Sequence, residues 1–136
     1  MSGAYQVKKT ANEVLIELAG SLDEQLAATV EQEVLRTVET LPTGQYSVIF
    51  QTGKLSDCSM GARPVLVRLQ QALSNRARRT AYLDDRPRFR GLALWVVHVA
   101  EDRNAKAVAT LEQLRQWLDA TVGRVEDAQH RAGGTP

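Results

Sequence analysis

Hydrophobic and polar positions change their period several times along the chain, and each change marks an element. Tyr5 and Val7, then Val14, Ile16 and Leu18, alternate with more polar residues on either side of Thr10-Ala11-Asn12-Glu13. A two-residue period broken by an asparagine-bearing turn predicts an opening hairpin, or one irregular edge strand followed by a better one. Gly20 ends it. From there the spacing becomes three or four: Leu22, Leu26, Val30, Val34, Val38 and Leu41 form one apolar stripe of a helix. Ser21-Leu22-Asp23-Glu24 reads as a capping box with Ser21 as the N-cap, and Pro42 cannot continue the helix. The opposite face, with Glu31, Glu33, Arg36 and Glu39, is charged and expected in water.

Tyr46-Ser47-Val48-Ile49-Phe50 is a short apolar run that suits a central strand covered on both faces. A polar turn follows, carrying Asp57, Cys58, Ser59 and Met60, with Gly61 just beyond. Pro64 lies near the next helix start, where its missing N–H costs little. Val65, Leu66, Leu69 and Leu73 predict that helix's buried stripe, and Arg68, Gln70 and Gln71 its wet side. Thr80-Ala81-Tyr82-Leu83 reads as a second short strand closed by Asp84-Asp85-Arg86-Pro87. Phe89 to Ala100 is a helix or a long buried strand; Pro87 and the length favour the helix. Its inner side is then Phe89, Leu92, Ala93, Val96, Val99 and Ala100. Lys106 to Ala109 predicts a last strand. Thr110, with Gln113, caps a final helix whose apolar face is Leu111, Leu114, Trp117 and Leu118.

Strands alternating with helices predict one α/β domain over residues 1–122, with a mixed, mostly parallel sheet of four or five strands and about four helices. Residues 123–136 turn polar and end in Arg-Ala-Gly-Gly-Thr-Pro, which predicts a frayed tail.

Composition narrows the function more than it names it. The 136 residues are 43% hydrophobic and 24% charged, as a globular domain requires, and the net charge of +1 gives no global field for nucleic acid. One cysteine and two distant histidines make neither an internal disulfide nor a metal site of usual spacing. No run of about 18 apolar residues occurs, so no membrane insertion is expected and the reading is a cytoplasmic protein. No Ser-His-Asp order, paired carboxylates or glycine-rich phosphate loop recommends catalysis or a cofactor.

Particular residues carry a family resemblance. Val14-Leu15-Ile16-Glu17-Leu18-Ala19-Gly20-Ser21-Leu22-Asp23 looks like an opening strand running into a Gly-x-Leu-Asp turn. Ser47-Val48-Ile49-Phe50 followed by Leu55-Ser56-Asp57-Cys58-Ser59 looks like a strand and a phosphorylation turn. Lys106 to Leu118, KAVATLEQLRQWL, is similar to a closing strand and Trp-Leu helix. Together, over residues 12–120, they resemble the STAS domains of bacterial anti-sigma factor antagonists and their SpoIIAA-like relatives. The resemblance implies a signalling module without catalytic residues that binds a protein partner, such as an anti-sigma or kinase-like regulator. It also implies that the second hydroxyl of an Asp-Ser-Ser/Thr-Gly turn accepts a phosphate. Here Ser59 holds that place, while Cys58 replaces the first serine and Met60 the glycine.

Read from the residues alone, Ser59 is first a helix cap, since caps are far commoner than switches, and second a phosphoacceptor. A phosphate there would add charge able to repel an acidic partner or recruit Arg63 and Arg68. Asp57 either orients Ser59 or forms an Asx-turn, the second being the commoner use. Cys58 is a packed thiol before it is a redox-sensitive one. Asp57, Cys58, Met60, Gly61 and Arg63 are the expected partner-binding residues. Arg86, Arg88 and Arg90, near Arg78 and Arg79, form the main basic cluster, either a solvated loop or contacts for an anion. Trp95, His98 and Trp117 read as core. The alternative function is a lipid-like small ligand held in a pocket beneath residues 89–100.

Overall fold

The computed structural model describes residues 3–120. β1 (Ala4–Lys9) pairs antiparallel with β2 (Glu13–Leu22), and β2, β3 (Ser47–Cys58), β4 (Arg79–Leu83) and β5 (Ala105–Val108) continue the sheet in parallel. The strand order is β1-β2-β3-β4-β5. Every parallel crossover therefore steps the same way. Right-handed crossovers then place α1 (Glu24–Val38), α2 (Ala62–Ser74) and α3 (Pro87–Ala100) on one face. The fold class read from the alternation of strands and helices holds: a single α/β domain with a mixed, mostly parallel five-stranded sheet and four helices.

The two-residue period of the strands sorts the core into two layers. Val14, Ile16 and Leu18 of β2, Val48 and Phe50 of β3, and Tyr82 of β4 meet the three helices. Ile49, Ala81, Leu83 and Val108 point the other way and meet Leu114 and Leu118 of α4 (Leu111–Asp119). Within α1 the buried stripe is Ala27, Val30, Val34 and Val38, each valine contributing roughly 1.5–3 kcal/mol of burial. Phe50 and Tyr82 stack with ring centroids 4.5 Å apart at the centre of the larger layer.

Several boundaries differ from the sequence reading. Ser21 is not the N-cap of α1: β2 runs on through Leu22, and Asp23 caps the helix by accepting from the Leu26 amide at 2.8 Å. β3 is 12 residues long rather than five because β2 keeps pairing with it past the end of β4. Two register shifts absorb extra residues in that extension, and Gly20, at φ 74°, sits at the second.

Other residues change sides. Gln70 of α2 is fully buried, not wet: its amide donates to Asp102 at 2.7 Å and its carbonyl accepts from the Tyr82 hydroxyl. Glu31 turns from the water-facing side of α1 to α2, where Arg68 grips it with two bonds of 2.6 and 2.7 Å. Residues 87–100 are helical as favoured, but Val99 is exposed, as are Trp95 and His98, which were expected in the core. α3 is the outermost helix of its layer, so its apolar residues outnumber the sites its one neighbour can cover. Leu111 of α4 is likewise exposed: α4 packs mainly on β4 and β5, and its buried residues are Leu114 and Leu118. The tail expected over 123–136 lies outside the described residues.

Candidate functional site

The turn after the central strand is built by the β3 extension. Ser21 pairs with Asp57 and Leu22 with Cys58, and the Ser59 amide still donates to Leu22 at 2.9 Å. The chain then enters α2 through Met60 and Gly61. Ser59 stands in front of the helix, its Oγ accepting from the Ala62 amide at 3.1 Å and its carbonyl from the same amide at 3.2 Å. The N-cap of α2 is Gly61, which has no side chain to cap with, and Ser59 serves the first helical amide from two residues before it. Met60 takes no left-handed conformation, so this turn does not need the glycine that the resemblance implies at its place. Gly61 lies close to α1 instead: a β-carbon there would lie 2.8 Å from Glu24 Oε1 and 3.3 Å from Glu24 Cβ, so the Glu24 side chain would have to shift.

The neighbouring side chains divide by alternation. Asp57 accepts from the Ser21 hydroxyl at 3.2 Å and makes no hydrogen bond to Ser59 or to the following amides among the described residues. Cys58 points inward and is buried. Burial pushes its thiol above the usual value, the nearby Arg63 guanidinium pulls it down less strongly, and Asp57 adds a smaller upward push. Met60, 74% exposed, projects from the turn. Ser59, Met60, Gly61 and Arg63 thus share one end of α2, with Cys58 beneath them.

The basic cluster does not come together. Arg78 and Arg79 sit at the start of β4, where Arg78 donates to the Leu118 carbonyl at 2.6 Å and Arg79 to that of Trp117 at 2.7 Å. Arg86 and Arg90 lie beyond the other end of that strand, about 17 Å away for five extended residues. Arg86 is a structural clamp rather than an anion contact. Its guanidinium donates to both Asp84 oxygens at 2.9 Å, to the Leu55 carbonyl at 2.6 Å and to the Thr52 carbonyl at 2.8 Å. Arg90 donates to the Asp84 carbonyl at 3.1 Å. Arg88 is exposed and forms no ion pair among the described residues. Trp117 is half-buried, its indole N–H donating to Thr80 at 2.9 Å.

The space beneath α3 amounts to about 20 Å³, lined by Phe50, Leu66, Tyr82, Phe89 and Val96 among others. A water needs roughly 10–15 Å³, so this space excludes a lipid chain. The lipid-sized pocket read into residues 89–100 is therefore not there. The sequence reading also missed a cleft of about 360 Å³ between α2 and α3, lined by Cys58, Arg63, Arg88, Phe89, Leu92 and Trp95. Its sequence signal was the excess of apolar residues on α3. Among the described residues no cluster of three or more His, Cys, Asp or Glu could hold a metal, and no helix is long and apolar enough to cross a membrane.

No protein-family model matches the chain, and no curated protein does. Solved structures do. The anti-sigma factor antagonist SpoIIAA in its unphosphorylated form superposes with a TM-score of 0.63 at 19% identity, covering 88% of this chain and 99% of that one. An uncharacterized protein with a SpoIIAA-like fold from Shewanella loihica PV-4 gives 0.62 at 13% identity, over 85% of this chain and 93% of that one. An anti-sigma factor antagonist from Mycobacterium paratuberculosis gives 0.59 at 14% identity, over 88% and 93%. At these identities the likeness is one of fold, and it agrees with the sheet order and helix placement above: the chain has the SpoIIAA-like fold of STAS domains.

Proposed function

We propose that this domain is a regulatory module without catalysis of its own, which binds a protein partner through the turn Asp57–Gly61 and the first turn of α2. The observation that carries the reading is the place of Ser59: a half-buried hydroxyl bonded to the first amide of α2, beside the exposed Met60. A phosphoryl group on Ser59 would add about −1.5 to −2 charges at a helix N-terminus and within reach of Arg63, where it is both stabilised and able to change what the surface accepts. The same fold is seen in SpoIIAA in both unphosphorylated and phosphorylated form, which supports a partner of the anti-sigma or kinase-like class in a bacterial cytoplasm. Residues 1–122 form the module in this reading. The 20 Å³ space under α3 gives no support to a lipid-binding role.

The test compares wild type, Ser59→Ala and Ser59→Asp as baits in the native host, with a photo-crosslinker at Met60. Wild type and Ser59→Ala should crosslink the same partner, Ser59→Asp should lose it, and protein isolated from the host should carry one phosphoryl group on Ser59. Equal recovery by all three baits would refute the switch, and no crosslink at Met60 would refute the surface.

A further inference from the structure

We propose that the cleft between α2 and α3 is a binding site for a small organic anion, with one acidic group on a planar apolar body. The cleft borders the partner surface and shares Cys58 and Arg63 with it, while Arg88, Gly91 and Trp95 on α3 lie outside that surface and report on the cleft alone. The cleft, about 360 Å³, is the size of a small-molecule pocket. One wall is aromatic and aliphatic: Phe89, Leu92 and Trp95, the last 44% exposed although indole surface is usually covered. The other chemistry is cationic, and Arg63 is engaged only by the Cys58 thiol. Arg63 Nε is buried with no hydrogen-bond partner, a state that a folded protein normally avoids. Arg88 lies 5.4 Å over the Phe89 ring. Neither arginine forms an ion pair among the described residues, unlike Arg86, Arg68 and Arg115.

The field in the cleft has the same sign. At Cys58, which lines it, Arg63 acts more strongly than Asp57 does. A carboxylate or phosphate would pair with the guanidinium groups of Arg63 and Arg88, and a ring attached to it would lie against Trp95 and Phe89. Two arginines alone would take any anion, and two aromatic rings any apolar group. Their meeting in one cleft selects the amphipathic anion.

Gly91 supplies a clean test. It lines the cleft, and a β-carbon at its position meets nothing within 4 Å. Gly91→Leu should therefore fold and fill the site. Phenyl phosphate is the probe, titrated into the ¹⁵N-labelled chain and followed by NMR at the Trp95 indole and the amides of residues 58–66 and 88–95. Saturable shifts confined to those groups are expected, with inorganic phosphate binding more weakly and benzyl alcohol not saturating. Arg63→Gln with Arg88→Gln should weaken phenyl phosphate about tenfold or more, Gly91→Leu should abolish its shifts, and the distant Arg36→Gln should leave them unchanged. The proposal is overturned by absence of saturation at millimolar probe, or by equal affinity in wild type and Gly91→Leu. Loss of the protein partner would not move any of these readouts.

Discussion

Asp57 is bound to Ser21, 36 residues earlier in the chain, and not to Ser59, two residues later. The acid of the turn thus belongs to the β2–β3 ladder and fastens its far end, leaving the Ser59 hydroxyl bonded to the Ala62 amide alone. A double-mutant cycle over Ser21→Ala and Asp57→Ala should show a coupling of about 0.5–1 kcal/mol in urea unfolding. The cycle over Asp57→Ala and Ser59→Ala should show none. Coupling in the second cycle and not the first would mean that Asp57 serves the serine after all.

Gln70 is the polar centre of the larger core layer. It is fully buried, bonded to the Tyr82 hydroxyl and the Asp102 carboxylate, and ties α2 to β4 and to the loop before β5. Gln70→Leu keeps the size and leaves both partners without it. Each stranded polar group costs about 1–3 kcal/mol, so for two of them the loss should reach about 2–6 kcal/mol by urea denaturation. A loss under about 1 kcal/mol would show that the network adds little.

These two sites show what the sequence could and could not reveal. The stripe Val30, Val34, Val38 was legible because helix periodicity is local and strong. Asp57 and Gln70 were misread because their partners lie 36, 12 and 32 residues away, and nothing local distinguishes a solvated glutamine from a buried one. Ser21 and Asp23 both suit a helix cap, and only the pairing of β2 with the β3 extension decides for Asp23. The apolar run stops at Phe50, yet the strand goes on and Lys54 pairs with Ala19. The position of Ser59 was legible because a polar stretch followed by Pro64 announces a helix start. The cleft was not, because Arg63 and Arg88 meet only through the packing of α2 on α3.

Gly91 sits inside α3 with open space where a β-carbon would be. Glycine in a helix interior is less stable than alanine by roughly 0.5–1 kcal/mol. Gly91→Ala should raise the thermal midpoint by a few degrees in a chain of this size. No change, or a fall, would mean that α3 needs the freedom of glycine there.

Cys58 should be a slow nucleophile. Burial holds its thiol above the ordinary value, so the folded chain keeps the proton where the unfolded chain has begun to lose it. The stability contribution is complete below the unfolded pKa and falls as pH rises toward the folded one. Alkylation by iodoacetamide between neutral pH and the unfolded midpoint should be slower for native than for urea-unfolded protein at every pH. Equal rates would place the thiol in water.

Arg86 holds the β3 extension to the rest of the sheet. It covers the Thr52 and Leu55 carbonyls, which β4 is too short to reach, while it also grips both oxygens of the buried Asp84. Burial alone would raise the Asp84 carboxyl; the bonds from the Arg86 side chain and amide and from Thr52 outweigh it and hold the carboxyl below its usual value. A depressed carboxyl contributes stability that is present above its unfolded pKa, about 4, and is lost as pH falls through the folded value. Arg86→Ala should therefore cost about 1–3 kcal/mol at neutral pH, with the gap to wild type narrowing below about pH 4. Arg86→Lys should recover only part, since an ammonium cannot bridge a carboxylate and two carbonyls in one plane. Amide exchange should quicken first in residues 53–58, the segment whose outer edge Arg86 covers. A loss that is independent of pH, or exchange that quickens uniformly over the sheet, would show that Arg86 acts through packing on Phe89, 3.9 Å away, and not through Asp84.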